Sequence, residues 1–213
     1  MDIATERTVK PWLKEDPILR PIYQIHINKT GGTTAGQALG LKFRHVDAND
    51  LRLELGPDAF EQAFIFSFVR NPWDRIVSHF HWRIKTNQTG LGDNPIPFQD
   101  WVTACFDQRD PKYYDKPRMF RQQTEWLRGG SDHPVHPAID FIGRFETLTD
   151  DIKTLAHKLN RPLEDGIPHL KPSNRKRDYR SYYGDRTAAI IARAFHTDIQ
   201  TFGYEFDPNF GEN

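Results

Sequence analysis

The sequence predicts a single α/β domain with a central, mostly parallel sheet flanked by helices. Segments with strand character alternate along the chain with segments of helical periodicity. One of them, Phe64–Val69, is an almost continuous apolar run, which is typical of a parallel strand covered on both faces. A chain of 213 residues, 37% of them hydrophobic, is also suited to one well-buried core. We place the domain at residues 17–210, after a polar arm at residues 1–16.

The first predicted unit is a strand, a loop and a helix in direct succession. Residues 22–27 alternate apolar and polar side chains and include β-branched residues, which indicates a strand. A loop with two adjacent glycines follows at residues 28–34, and a short helix runs on to Leu39.

The next segments continue the alternation. Residues 41–45 predict a second strand, and residues 50–55 predict a short helix that Gly56 and Pro57 end. After the apolar run Phe64–Val69, Asn71 is expected to cap a helix whose first residue is proline.

The second half contains a long irregular stretch before the alternation resumes. Residues 86–137 are rich in Pro, Gly, Asn and Asp, and we interpret them as an insertion that shapes a binding site. A strand is predicted at residues 138–146 and helices at residues 148–159 and 187–202. A basic segment at residues 169–186 precedes the last helix.

The charge balance and the cysteine count exclude several classes of protein. Lys+Arg and Asp+Glu number 29 each, which argues against a general nucleic-acid binder but leaves room for a local basic pocket. The single cysteine, Cys105, excludes an intramolecular disulfide and favours a reducing compartment. Since no apolar run approaches the ~20 residues of a membrane span and residues 1–16 lack a signal-peptide pattern, we expect a cytoplasmic protein.

The loop Lys29-Thr30-Gly31-Gly32-Thr33-Thr34 has the groups that a phosphate site needs. Its glycines let backbone amides turn toward an anion, and the helix that follows adds its unpaired N–H groups. The Thr33 and Thr34 hydroxyls can donate further bonds, and Lys29 supplies a positive charge. Lys29 precedes the glycines, whereas the common triphosphate-binding loop places its lysine after them. The alternative is that the glycines only form a tight turn.

A second anion site is predicted at the end of the next buried strand. Arg70 follows that strand directly, at the edge where ligands bind in open α/β sheets, and a guanidinium can bind a phosphate through two parallel hydrogen bonds. Ser78, two turns into the following helix, could add a hydroxyl. The alternative is that Arg70 pairs with a nearby carboxylate and Ser78 is a surface residue. Two such sites together predict a ligand with two separated phosphates.

In this order, the motifs resemble those of the sulfotransferases that use 3'-phosphoadenylyl sulfate (PAPS). Residues 26–34 resemble the 5'-phosphosulfate loop of that family, and residues 68–78 resemble its 3'-phosphate motif. Among its members the resemblance is to the Golgi carbohydrate sulfotransferases and their soluble bacterial relatives, and it implies a P-loop-like nucleotide-binding fold. It covers residues 20–208 and includes later segments at residues 140–146, 174–183 and 198–204.

Two positions depart from the family pattern. Asn28 stands where the family usually has Pro, and Thr34 stands where it often has Ser. Because Asn is more flexible than Pro, we expect Asn28 to loosen the entry of the loop. Thr34 keeps the hydroxyl.

The resemblance implies roles for the residues of both motifs. Lys29 would neutralise the charge that develops on the leaving phosphate oxygen. The loop amides of Gly31 and Gly32 and the residues Thr30, Thr33 and Thr34 would hold the 5'-phosphate, and Arg70 and Ser78 would hold the 3'-phosphate. The basic segment would close over the nucleotide, with Arg175 and Lys176 nearest the 3'-phosphate, although it could equally be a solvated face. The resemblance implies PAPS as donor, 3',5'-ADP (PAP) as product and no metal.

A base and an acceptor site complete the expected reaction. His45, at the end of the predicted second strand, is the expected general base, with Glu54 and Asp50 as alternatives. Trp82, Arg83, Arg121 and Trp126 are candidate contacts for the acceptor, and ordinary packing is the alternative for each tryptophan.

The expected function is therefore transfer of a sulfuryl group from PAPS to a hydroxyl of a carbohydrate-like acceptor. The carbohydrate part rests on the resemblance alone. One alternative is a nucleotide or small-molecule kinase, which would need a Lys-Ser/Thr pair after the glycines and a carboxylate for magnesium. The other is a non-catalytic domain that binds a nucleotide or a glycan.

Overall fold

Three parallel strands form the sheet in the part of the chain that the structure describes, in the order β1–β2–β3. They are β1 (Ile22–Ile25), β2 (Phe64–Val69) and β3 (Ile139–Arg144). This computed structural model describes residues 20–41, 44–161, 163, 167 and 178–206. The predicted arm and the residues Arg175 and Lys176 lie outside these ranges. The parallel α/β architecture predicted from the sequence is confirmed.

The central strand β2 is buried along its whole length, and its side chains alternate between two apolar clusters. Phe64, Phe66 and Phe68 join one cluster, and Ile65 and Val69 join the other on the opposite face. This is the two-sided burial that its continuous apolar sequence predicts.

Helices cover both faces of the sheet. On the phenylalanine face lie α1 (Gly32–Ala38) and α7 (Leu148–Lys158). The opposite face packs against four helices: α2 (Ala48–Leu55), α3 (Pro57–Gln62), α6 (Gln123–Leu127) and α9 (His196–Phe202).

A third apolar cluster lies beside the sheet and is rich in aromatic rings. It is built from α4 (Pro72–Lys85), α5 (Phe98–Val102) with the π-helical turn Thr103–Asp107, and α8 (Asp185–Ala194). Cys105 is buried in it, and burial raises the pKa of its thiol to about 12. Short 3-10 helices lie at Gln88–Gly90, Pro117–Phe120 and Tyr179–Tyr182.

The predicted start of α4 is confirmed in detail. The Asn71 side chain accepts a hydrogen bond from the Trp73 amide at 3.1 Å, and Pro72 occupies the first turn. This places Arg70 at the junction between β2 and α4, at the carboxyl edge of the sheet.

The residues between α1 and α2 differ from the prediction. Leu41 and residues 44–47 are not in a strand; residues 42 and 43 lie outside the described ranges. Asp47 instead caps α2, its carboxylate accepting from the Asp50 amide at 2.9 Å. Residues 44–47 pair with no strand among the described residues and instead lead into α2.

The helix predicted to end before Gly56 and Pro57 does end there, with Gly56 at φ 81°. Pro57 then begins a further helix, α3, which was not predicted, because proline is accommodated in the first turn of a helix. The last predicted helix is two helices, α8 and α9, separated at Phe195. No helix within the described ranges is long and apolar enough to cross a membrane.

Candidate active site

The loop after β1 has a tight, internally bonded conformation. Lys29 has φ 67° and Gly31 has φ 84°, both in the left-handed region. Thr30 is completely buried, and its hydroxyl donates to the Ile27 carbonyl at 2.8 Å. The Thr30 hydroxyl therefore braces the loop, and its proton is not directed at a ligand.

Gly32 is a position where only glycine fits. A Cβ there would lie 2.3 Å from His26 Cδ2 and 2.7 Å from Gln24 Nε2, closer than side-chain atoms approach. The Gln24 amide also donates to the Gly32 carbonyl at 2.9 Å. The second glycine of the loop thus allows the start of α1 to pack directly on the end of β1.

The amino end of α1 is suited to an anion. The residue before the helix, Gly31, provides no side-chain cap, and no acidic residue lies in the first turn, which contains Thr33 and Thr34. In contrast, α2 and α4 begin with side-chain caps and carry an aspartate in the first turn. A helix start without a carboxylate leaves its positive dipole end uncompensated by the protein.

Arg70 joins the two motifs. Its guanidinium is buried, donates from Nη1 to the Lys29 carbonyl at 3.0 Å, and contacts Asp74 through Nε at 2.8 Å and Nη2 at 2.6 Å. The Arg70 Cζ atom lies 3.7 Å from the centroid of the Phe145 ring, and Phe145 follows β3. The pairing with a nearby carboxylate, which was the alternative for Arg70, is thus present. Asp74 holds the Arg70 guanidinium beside the loop. The i, i+4 spacing of Arg70 and Asp74 was the signal for it.

The backbone of Arg70 is held by a buried glutamine. Gln123 Oε1 accepts from the Arg70 amide, and Gln123 Nε2 donates to the Arg70 carbonyl, both at 2.8 Å. Asp198 in turn accepts from the Gln123 amide at 2.7 Å and from the Thr124 amide at 2.8 Å. Burial raises the pKa of Asp198, and the two amide bonds act in the opposite direction.

Asn28, at the entry of the loop, is one of the most firmly bonded residues of the site. It is buried, and its Oδ1 accepts from Arg75 Nη2 at 2.7 Å. Its Nδ2 donates to the Met119 carbonyl at 3.0 Å and to His79 Nε2 at 2.9 Å. The expectation that Asn28 loosens the loop entry was wrong, because these bonds fix it more completely than its own torsional freedom suggests.

Arg75 and His79 are the buried residues of α4 whose side chains bond to Asn28. Arg75 is fully buried and also donates to the carbonyls of Asn28 at 3.1 Å and Arg121 at 2.9 Å. Burial lowers its pKa to about 10, so it remains a cation at neutral pH. Burial, and next the charge of Arg75, lower the pKa of His79 well below its ordinary value, which keeps that ring neutral and able to accept from Asn28. None of these contacts is indicated by the sequence motifs.

His45 lies on the exposed side of the loop, stacked on His26. The ring centroids are 4.3 Å apart with planes 20° from parallel. His45 Nδ1 lies 3.0 Å from the His26 carbonyl oxygen. Because a carbonyl only accepts, Nδ1 carries a hydrogen, and in the neutral ring the lone pair therefore lies on Nε2. Burial, followed by the charge of His45, lowers the pKa of His26 to about 3.

The two alternative bases are engaged in ion pairs. Glu54 pairs with Arg44, and Asp50 pairs with Arg118. A role as base would therefore require either carboxylate to leave its arginine partner.

Three of the candidate acceptor contacts, Arg121, Trp126 and Arg83, occupy different environments. Arg121 is partly exposed, pairs with Asp47 at 2.8 Å and lies 4.9 Å from the Trp126 ring centroid. Trp126 is fully buried, and its ring lies 6.5 Å from that of His45. This burial agrees with the alternative role for Trp126, ordinary packing. Arg83 is also buried and pairs with Asp115 at 2.6 Å.

The Lys29 side chain lies against α4, and Ser78 is a residue of that helix. The Lys29 ammonium lies 4.6 Å from the centroid of the Trp82 ring, which is 44% exposed. Ser78 is half-buried on the same helix, four residues before Trp82. Within the described ranges, no group of three or more His, Cys, Asp or Glu side chains could hold a metal ion.

Lys29 and Arg70 thus lie at the carboxyl ends of neighbouring strands, the edge of an open α/β sheet at which ligands bind. A model of the Sulfotransferase family matches residues 22–205. The chain therefore belongs to the sulfotransferase family.

Two known proteins are similar to this chain. An uncharacterized protein of Archaeoglobus fulgidus is 25% identical over 115 residues, which cover 54% of this chain and 82% of that protein. The crystal structure of a sulfotransferase from Alicyclobacillus acidocaldarius matches 75% of this chain at 15% identity, with a TM-score of 0.43. The chain spans 60% of the length of that structure.

Proposed function

We propose that the protein transfers a sulfuryl group from PAPS to a hydroxyl of a carbohydrate-like acceptor. The observation that carries the proposal is the 3.0 Å hydrogen bond from Arg70 Nη1 to the Lys29 carbonyl. It joins the two family motifs at one edge of the sheet, so that a donor with phosphates at both its 3' and 5' positions would meet both.

The residues present fit such a donor. Gly32 leaves no space for a Cβ, and the amino end of α1 has neither a side-chain cap nor an acidic first-turn residue. The loop amides with Thr33 and Thr34 would bind the 5'-phosphate, and Arg70 and Ser78 would bind the 3'-phosphate. Thr30 would contribute through its backbone, since its hydroxyl bonds to Ile27.

In the reaction, the bond from sulfur to the 5'-phosphate oxygen breaks and a bond from sulfur to the acceptor oxygen forms. Lys29 would neutralise the charge left on the phosphate, and positioning with charge stabilisation would supply most of the acceleration. The acceptor's proton would pass to His45 Nε2, whose lone pair is oriented by the hydrogen bond from Nδ1 to His26.

The acceptor is proposed to lie beside His45, in the region shaped by residues 86–137. Arg121 is the candidate contact best placed for it, because it is partly exposed and packs on the ring next to His45. A contact through Arg83 would require its buried pair with Asp115 to open.

The direct test is incubation with radiolabelled PAPS and a panel of glycans, small alcohols and tyrosine peptides. Label transferred to a glycan supports the whole proposal, and label on another member of the panel corrects only the acceptor. Failure to bind PAPS would overturn the proposal. Transfer of phosphate from ATP with magnesium would favour a kinase, and binding of PAP without any turnover would favour a non-catalytic domain.

A further inference from the structure

The ring of Trp82 is in an unusual position for a large apolar side chain. It is 44% exposed on α4, whereas the other described tryptophans, Trp73, Trp101 and Trp126, are at most 4% exposed. Leu53 is the other exposed large apolar residue of the described ranges. Single exposed apolar side chains are common on protein surfaces, so what matters is the group that this ring contacts.

The ring contacts the lysine on which the proposed chemistry depends. Lys29 Nζ lies 4.6 Å from the centroid of the Trp82 ring, within the range of a cation–π interaction. Tryptophan gives the strongest such interaction among the aromatic side chains. The contact therefore restrains the long, flexible side chain of Lys29 against the surface of α4.

The same helix face connects this point to the donor motif. Ser78 and Trp82 are four residues apart on α4, and residues at this spacing are neighbours on a helix surface. Ser78 is proposed to hold the 3'-phosphate of the donor and Lys29 its leaving 5'-phosphate, and of these two residues it is Lys29 that the ring contacts. The exposed part of the ring is then an apolar surface next to the reacting atoms.

We infer that Trp82 positions Lys29 for sulfuryl transfer and forms the surface on which the apolar C–H face of the acceptor sugar packs. This inference rests on the proposed function. Aromatic rings supply large, rigid contact area without a charge that would compete with the phosphates for Lys29. The role is one of positioning, since the ring takes part in no bond that forms or breaks.

The test compares Trp82→Ala and Trp82→Phe with the unchanged protein, and uses Leu53→Ala as a matched exposed-apolar control. The first readout needs no acceptor: the rate at which an amine-acetylating reagent modifies Lys29, relative to Lys153 in the same molecule. Trp82→Ala is expected to raise this ratio about two- to fivefold, because the ring stabilises the ammonium over the reactive free amine. Trp82→Phe should give an intermediate ratio, and Leu53→Ala should leave it unchanged.

The second readout is transfer from PAPS to the glycan identified in the panel, together with the affinity for PAP. In Trp82→Ala we expect kcat to fall and the KM for the glycan to rise, so that kcat/KM drops about tenfold or more, while PAP affinity stays within about twofold. Trp82→Phe should recover much of the loss.

Each contrary outcome has a definite meaning. An unchanged labelling ratio together with unchanged transfer in Trp82→Ala would overturn the inference. A loss of PAP affinity of about tenfold would place the ring against the donor and overturn its role toward the acceptor. If the unchanged protein neither binds PAP nor transfers label, the proposed function and the acceptor role both fail, and the labelling ratio still decides whether Trp82 restrains Lys29.

Discussion

The ring of His45 stacks on the ring of His26 at 4.3 Å, and its Nδ1 donates to the His26 carbonyl at 3.0 Å. The two histidines thus have opposite characters. His26 is buried and held neutral, with its pKa lowered to about 3, whereas His45 is exposed and presents the lone pair of Nε2.

The buried His26 predicts a pH-dependent stability. Between pH 6.5 and about 3, the unfolded chain binds a proton at this residue that the folded chain does not. The free energy of unfolding should therefore fall as the pH is lowered from 6.5, by at most ~1.4 kcal/mol per pH unit from this group, and its contribution is fully present above 6.5. Urea unfolding at pH 7 and pH 5 measures this loss.

The control for this prediction is a second histidine. His26→Gln should reduce the loss of stability between pH 7 and pH 5, and His133→Gln, at an exposed position, should leave it as it is. Some loss will remain in both, because burial also lowers the pKa of His79. An equal loss in His26→Gln and the unchanged protein would contradict the assignment.

Removal of His45 should slow transfer without unfolding the protein. The side chain is exposed, and a general base contributes typically about 10²–10⁴-fold, so His45→Ala should lose activity in that range. The measurement is the rate of label transfer from PAPS, with added imidazole as a rescue. A loss of the same size in Glu54→Gln or Asp50→Asn, with His45→Ala unaffected, would assign the base to a carboxylate instead.

The bonds of Asn28 predict that it stabilises the fold as well as the loop. Asn28→Ala removes the acceptor of Arg75 Nη2 and the donor to His79 in a buried region, which should lower the free energy of unfolding by about 2–4 kcal/mol. Urea denaturation checks this against Asn49→Ala, which alters an exposed asparagine. Equal stability of the two variants would show that the network is not maintained in solution.

Glycine at position 32 should be required by contact rather than by backbone conformation. Gly32→Ala places a Cβ 2.3 Å from His26, and overpacking of this kind costs about 1–3 kcal/mol. It should also weaken PAP binding, because the start of α1 must move. Gly40→Ala is the comparison: its φ is +62° with nothing within 4 Å of a new Cβ, so it reports the backbone cost alone. Calorimetric PAP binding separates them, and unchanged affinity in Gly32→Ala would contradict the prediction.

Local patterns made much of the fold predictable. The strand, glycine loop and helix at residues 22–39 follow from neighbouring residues, and the cap at Asn71 and the two-sided burial of Phe64–Val69 do as well. The strand predicted at residues 41–45 is absent at its described residues, Leu41, Arg44 and His45, because a short run of strand-like residues does not by itself provide a partner strand. The break between α8 and α9 lies at Phe195, which is buried in the aromatic cluster. Helical periodicity in the sequence does not indicate such a break.

The arrangement of the site was less predictable, because it depends on contacts between distant parts of the chain. Asn28 meets Met119, 91 residues later, and Arg70 meets Gln123, 53 residues later. The sequence shows asparagine at position 28 in place of the usual proline. The role of Asn28 follows only from its contacts with Arg75 and His79.

The charge of Lys29 is the feature on which the proposed chemistry most depends. Lys29→Met keeps most of the length of the side chain and removes its charge, and Lys153→Met makes the same change at an exposed position on α7. The decisive measurement is kcat/KM for transfer of labelled sulfuryl from PAPS in both variants. We predict a loss of about 10²-fold or more for Lys29→Met and no change for Lys153→Met. Transfer by Lys29→Met at the rate of the unchanged protein would contradict the account.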